Sequence, residues 1–128
     1  MNRTRLLVVD DEARVRRGLR MRLTVEADME VIGEAGSGEA ALQLVRSLSP
    51  DVVLMDVEMP GAEGISGIAA LRRVAPRSAV VVFTLYDDAA MRARAREAGA
   101  AAFVTKHQTE EALLTAIRRA ALGHGKQA

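Results

Sequence analysis

The run Val52-Val53-Leu54-Met55 has no polar residue in it and ends directly on Asp56. A strand with one face in water alternates apolar and polar side chains, whereas an unbroken apolar run bounded by turn residues belongs to a strand buried on both faces. The pattern recurs at Leu6-Leu7-Val8-Val9, which ends on Asp10-Asp11, and at Ala79-Val80-Val81-Val82-Phe83, which ends on Thr84. A shorter strand is predicted at Ala101-Ala102-Phe103-Val104-Thr105, just before Lys106. The segment Met29 to Ala35 is less apolar and is expected nearer a sheet edge. A sheet covered on both faces needs helices above and below it, which excludes an open antiparallel sheet and a bundle.

Helical segments lie between the strands. Val15, Leu19 and Leu23 recur at four-residue spacing in a helix predicted to reach about Glu26, with the acidic Asp10-Asp11-Glu12 at its start. Ala40, Ala41, Leu44, Val45 and Leu48 share one face after the candidate N-cap Ser37, and Pro50 stops that helix. A third helix begins near Ile65 and ends before Pro76. A fourth follows the caps Asp87 and Asp88 and ends at Gly99. The last follows Thr109 with Leu113, Leu114, Ile117 and Ala121 as its apolar face. Strict strand–helix alternation with right-handed crossovers gives an α/β doubly wound, three-layer sandwich. Five parallel strands in the flavodoxin-like order 2-1-3-4-5, with five helices, fit the element count. The switch point then lies between the first and third strands, which end in Asp10-Asp11 and in Asp56.

Composition narrows the function. A chain of 128 residues makes one domain, and a net charge of +1 gives no electrostatic reason for nucleic acid or membrane attraction. Without cysteine there is no disulfide, thiol catalysis or zinc–thiolate site. The N-terminal apolar run is too short for a secretory signal and no stretch is long enough to cross a membrane, so a cytoplasmic protein is expected. Only Lys106 and Lys126 are lysines among many arginines, which draws attention to Lys106.

Carboxylates at 10, 11 and 56 would repel one another, and a hard divalent cation would relieve them. Magnesium takes oxygen ligands and keeps several waters, so one or two carboxylates plus phosphate oxygens satisfy it. Thr84 and Lys106 end the next two strands, and so reach the same sheet edge with a hydroxyl donor and a point positive charge. Phosphoryl transfer depends mainly on positioning and charge neutralisation, which such a set supplies.

The combination of Asp10-Asp11, Asp56 with Met59-Pro60-Gly61, Thr84 and Lys106 resembles the receiver domain of bacterial two-component response regulators, from about Arg5 to Leu122. The stretch from Glu97 to Phe103 is most similar to NarL/FixJ-type receivers. The resemblance implies a CheY-like fold over 1–122, with 123–128 as a tail or the start of a linker to an output domain. It implies that Asp56 takes a phosphoryl group from a sensor histidine kinase with Mg2+ or Mn2+. Asp11 and Asp56 would hold the metal through carboxylates, Glu58 through its backbone carbonyl, and Asp10 through water. Thr84 and Phe103 would form a switch pair, while Glu58, Leu85 and Tyr86 would tune access and phosphorylated lifetime. A homodimer on activation and a C-terminal helix-turn-helix output domain that controls transcription are the implied partners, with no direct nucleic-acid contact by these residues. Two departures stand out: His107 where many receivers have proline, and the bulky Leu85 where a small residue is usual. Leu85 sustains an alternative, a pseudo-receiver that acts without phosphorylation.

Taken singly, several of these residues have plainer readings. Asp11 suits a helix N-cap, Thr84 a strand, Lys106 a solvated side chain and Phe103 a half-buried strand position. The arginines from Arg92 to Arg96 read as a solvated helix face. A nucleotide-binding enzyme or phosphatase on the same sheet lacks support: no glycine-rich dinucleotide or Walker stretch is present, and Glu58 stands where a family phosphatase would need a second aspartate.

Overall fold

The computed structural model describes residues 3–58 and 64–125. Among them five strands alternate with five helices. The first half of the chain contains β1 (Thr4–Val9), α1 (Ala13–Thr24), β2 (Met29–Ala35), α2 (Gly38–Leu48) and β3 (Val52–Met55). The second contains α3 (Gly64–Val74), β4 (Ala79–Thr84), α4 (Ala89–Ala98), β5 (Ala102–Thr105) and α5 (Glu110–Gly125). All strand pairs are parallel, in the order β2-β1-β3-β4-β5, as the element pattern predicts.

The apolar runs are buried on both faces because successive side chains point to opposite sides. Leu6, Val8, Val52, Leu54, Ala79 and Val81 pack with Leu19 and Leu23 of α1 and with Leu113, Leu114 and Ile117 of α5. Leu7, Val9, Val53, Met55, Val80 and Val82 face the other way, onto Ala41 and Val45 of α2, Ile68 and Leu71 of α3, and Ala95 of α4. Full burial of each such Val, Leu or Ile is worth about 1.5–3 kcal/mol. The central strands are therefore held from both sides, and their carboxyl ends are fixed points.

Local chemistry sets most boundaries. Ser37 accepts the Ala40 N–H and caps α2; Asp88 accepts the Ala90 N–H and caps α4; Thr109 accepts the Ala112 N–H before α5. Gly99 ends α4 at φ 114°, a left-handed conformation that glycine adopts without penalty. β2 is an edge strand, as expected, and carries an irregularity: Leu6 pairs with Val31 but Leu7 with Gly33, so Ile32 is skipped. A Cβ on Gly33 would come within 2.9 Å of the Leu48 side chain, so the missing side chain lets α2 close on the sheet.

Three expectations differ in detail. Glu12 takes the N-cap position of α1 but makes no side-chain cap, and it is Asp10 whose carboxylate accepts the Glu12 N–H. α1 ends at Thr24 rather than Glu26, with Val25 as its C-cap, and the Glu26 carboxylate that follows is held by Arg22 and Arg118. α5 continues through Gly123 to Gly125, past the break expected at 123; glycine weakens a helix without forbidding it. The Met59-Pro60-Gly61 turn lies outside the described residues.

Candidate functional site

The register of β1 against β3 pairs Val9 with Met55, so the next residues, Asp10 and Asp56, emerge side by side at the carboxyl edge. Their backbones prolong the sheet by one residue: the Asp10 N–H donates to the Ala35 carbonyl at 3.0 Å and the Asp56 N–H to that of Val9 at 3.1 Å. The two side chains then repeat one geometry. Asp10 Oδ1 accepts the Glu12 N–H at 3.0 Å and Asp56 Oδ1 the Glu58 N–H at 2.8 Å. Each aspartate thereby folds the following loop over its own carboxylate. Asp10 is 2% exposed and Asp56 6%.

The remaining carboxylate oxygens share one cation. Lys106 Nζ lies 2.9 Å from Asp10 Oδ2 and 3.0 Å from Asp56 Oδ2. β5 places it there: Thr84 pairs with Thr105, and the Lys106 N–H donates to the Thr84 carbonyl, extending the ladder past the strand end. The lysine stem passes Phe83, with Nζ 5.8 Å from the ring centroid. Burial pulls the Lys106 pKa down, but hydrogen bonds and charge from Asp10 and Asp56 outweigh it and leave it raised above the ordinary lysine value.

Thr84 is fully buried, and its Oγ1 has no hydrogen-bond partner among the described residues. An unsatisfied buried hydroxyl costs about 1–3 kcal/mol, so the resting arrangement leaves a polar group in need of a ligand. Asp11, by contrast, is exposed, and no group of three or more His, Cys, Asp or Glu among the described residues stands in metal-holding geometry. The structure thus gathers Asp10, Asp56 and Lys106 and leaves Asp11 at the solvent side. The two gathered carboxylates against one ammonium leave a net negative set of oxygen donors, chemistry that suits a hard divalent ion such as Mg2+ or Mn2+, with the exposed Asp11 carboxylate as a further oxygen donor from the solvent side.

Glu58 is exposed, and the β4–α4 loop exposes 48% of Leu85 and 57% of Tyr86. His107 is also exposed. Phe103, paired in register with Val82 on the neighbouring strand, is half-buried.

Two participants escaped the sequence reading. Arg92, read as part of a solvated face, stacks its guanidinium 5.0 Å from the Phe103 centroid and ion-pairs with Asp87 at 2.7 Å. Arg16 donates to the Asp10 backbone carbonyl at 2.6 Å. Neither contact has a sequence signal, since both partners come from distant segments or from the backbone.

A doubly wound α/β domain with a carboxylate–lysine centre at its switch point belongs to the class of α/β domains whose ligands bind outside the carboxyl ends of the strands. Within that class, this chain belongs to the response regulator receiver domain family: the family model described as "Response regulator receiver domain" matches residues 6–118. It is 41% identical over 119 residues to the response regulator GacA of Pseudomonas aeruginosa, covering 93% of this chain and 56% of that protein. It is 33% identical to the nitrate/nitrite response regulator protein NarL of Escherichia coli K12, over 92% of this chain and 55% of that one. The chain therefore spans about half the length of these relatives. Among solved structures, the receiver domain of the putative response regulator NarL from Mycobacterium tuberculosis superposes with a TM-score of 0.89 at 34% identity, covering 96% of this chain and 99% of that one. A LuxR-family response regulator from Aurantimonas gives 0.91 at 32% identity, over 96% and 88%. The chain is a two-component receiver of the LuxR/NarL kind. No helix among the described residues is long and apolar enough to cross a membrane.

Proposed function

We propose that this receiver is a phosphorylation-controlled switch in which Asp56 is the phosphoacceptor. The observation that carries the reading is the buried Asp56 carboxylate, bridged to Asp10 by Lys106 beside a strand that holds the Thr84 hydroxyl, which has no partner among the described residues. An Asp56 carboxylate oxygen attacks the phosphorus of a phosphohistidine on a sensor histidine kinase, or of a small phosphodonor. The P–N or P–O bond to the donor breaks, and an acyl phosphate forms on Asp56. Lys106 neutralises a phosphoryl oxygen through its ammonium. Asp11, Asp56 and the Glu58 carbonyl would hold a Mg2+ or Mn2+ ion, with Asp10 contributing through water, and a bound ion would supply charge neutralisation for the phosphoryl oxygens. The protein is a phosphoacceptor that assists its own reaction, not an enzyme with a separate substrate.

Thr84 couples this chemistry to shape. A hydrogen bond from its hydroxyl to a charged phosphoryl oxygen is worth about 1.5–3 kcal/mol, a differential of about tenfold to a hundredfold between two conformations. That energy draws the loop after β4 inward and moves Phe103, shifting α4, β5 and α5 towards an arrangement suited to homodimerisation. In a longer protein of the relatives' kind, this change controls transcription through an attached helix-turn-helix output domain, in the cytoplasm.

The decisive measurement is labelling by acetyl phosphate in Mg2+: Asp56→Asn is expected to abolish it, and unchanged labelling would sink the reading. One observation favours the second reading, a pseudo-receiver that needs no phosphate: the Lys106 ammonium by itself neutralises part of the carboxylate charge. Mg2+ with beryllofluoride separates the two, since the switch must show amide shifts at Thr84 and Phe103 and a pseudo-receiver shows none.

A further inference from the structure

We propose that Arg16 is a positioning residue for the carboxylate centre: its guanidinium, clamped between Glu34 and the Asp10 carbonyl, fixes how Asp10 and Asp11 are presented and so raises the site's affinity for a divalent cation. The inference rests on the phosphoacceptor reading and deepens it.

Arg16 lies in the first turns of α1, and its own N–H is fixed to the Glu12 carbonyl at 3.1 Å. Its Nη1 donates to the Asp10 carbonyl at 2.6 Å, and its Nε to Glu34 Oε1 at 3.2 Å. The second Glu34 oxygen is taken by Arg20 Nε at 2.6 Å. Glu34 stands one residue before Ala35, whose carbonyl accepts the Asp10 N–H. The Asp10 backbone is therefore held on both sides, by β2 at its N–H and by Arg16 at its C=O. The guanidinium packs over Gly36, where a Cβ would meet Nη1 at 3.4 Å and the guanidinium carbon at 4.0 Å, ordinary contact distances. Only arginine offers two donors in a rigid plane that can meet a carboxylate and a carbonyl in fixed directions at once.

The Asp10 carbonyl lies in the peptide plane that also carries the Asp11 N–H and leads to the Asp11 Cα. Turning that plane re-aims Asp11. Because Asp11 is exposed, no packing around its side chain orients it, and the backbone must. Magnesium tolerates little departure from octahedral geometry, so a pre-aimed carboxylate loses less on binding. Groups that orient metal ligands from behind typically matter by roughly tenfold or more in affinity. The sign is diagnostic. Arg16 is a cation near an acidic site, so by charge alone its removal would tighten cation binding, whereas loss of positioning weakens it.

The test is Mg2+ titration at constant ionic strength, followed by amide chemical shifts of the whole chain, with Arg16→Ala, Arg16→Lys and Arg20→Ala beside the wild type. Arg16→Ala is expected to raise the Kd roughly tenfold, and Arg16→Lys to raise it less, because an ammonium meets only one of the two acceptors well. Arg20→Ala also strips an ion pair from Glu34 but does not touch Asp10, and is expected to leave the Kd unchanged. A Kd in folded Arg16→Ala equal to or tighter than wild type overturns the inference, as does equal weakening by Arg20→Ala. If Arg16→Ala does not fold, Arg16→Lys decides by the same comparison: a raised Kd supports the role and an unchanged one overturns it. A wild type that titrates normally beside an unaffected Arg16 variant removes only this inference. A wild type with no Mg2+ response removes the phosphoacceptor reading and this inference together.

Discussion

Lys106 is the residue on which the centre balances. It is the sole cation among the described residues bonded to the Asp10 and Asp56 carboxylates, and its side chain is only 11% exposed. Lys106→Met leaves two buried carboxylates without a counter-charge and is expected to cost about 2–3 kcal/mol at neutral pH, read from urea unfolding. The pH dependence follows from the raised lysine pKa. The folded value lies above the unfolded one, about 10.4, so the stabilisation is fully present below that pH and is lost as pH rises through the folded value. The wild type should therefore lose stability more steeply than Lys106→Met in alkaline titration; parallel curves would contradict the assignment. Leu85 tests access to the same centre. It sits on the loop after β4 with 48% of its surface exposed. If its bulk shields Asp56 from donors, Leu85→Ala speeds acetyl phosphate labelling severalfold, and an unchanged rate removes the steric role. Asp10, Asp56 and Thr84 were legible in the sequence because each directly ends an apolar run. Arg16 and Arg92 were not, because arginine on a helix reads the same whether it meets water, a carbonyl or a ring.

At the scale of elements, turn and cap chemistry carried the boundaries. Ser37, Asp88, Thr109 and Gly99 all act where their residue types predict. Gly99 has two reasons to be glycine. Its φ of 114° is strained for any side chain, and a Cβ would approach the Arg72 Cγ to 2.9 Å. Gly99→Ala is expected to lower stability by about 1–2 kcal/mol, as a reduced urea midpoint with an unchanged slope. A midpoint within error of wild type would mean that the turn after α4 relaxes freely. The start of α1 departed from expectation for an electrostatic and geometric reason. Acidic residues before a helix favour capping, yet Asp10 is drawn into the sheet edge by Lys106, and its other oxygen serves the Glu12 N–H instead. The skipped Ile32 was equally invisible, since register depends on how β2 meets β1 and α2, not on β2 alone.

Across the whole molecule, a network of charges ties α1 and the loop that follows it to α5. Arg118 bonds Glu26 at 2.8 Å and Asp28 at 2.9 Å, and Arg22 bonds Glu26 at 2.7 Å and Glu110 at 2.6 Å. Hydrogen bonds from Arg22 and Arg118 hold the Glu26 pKa below its usual value, and Arg118 does the same for Asp28. Depressed carboxylate pKa values stabilise the fold above the unfolded pKa, about 4, and that contribution is lost as pH falls through the folded values. Stability should therefore decline on acidification below about pH 4, less steeply in Arg118→Gln and less in high salt, because these side chains are partly exposed and screened. Identical acid profiles for the two proteins would show that the network contributes nothing measurable.

The sequence by itself determined the α/β class, the two-faced core and the sheet edge at which Asp10, Asp56, Thr84 and Lys106 stand at the strand ends. Those follow from periodicity and from where apolar runs stop, and both are local properties of the chain. Only the tertiary structure decided that Lys106 bridges both aspartates, that the Thr84 hydroxyl is buried with no partner among the described residues, and that Arg16 grips the Asp10 carbonyl. Each of these depends on distances between segments brought together by packing, and on a backbone carbonyl that every residue carries alike.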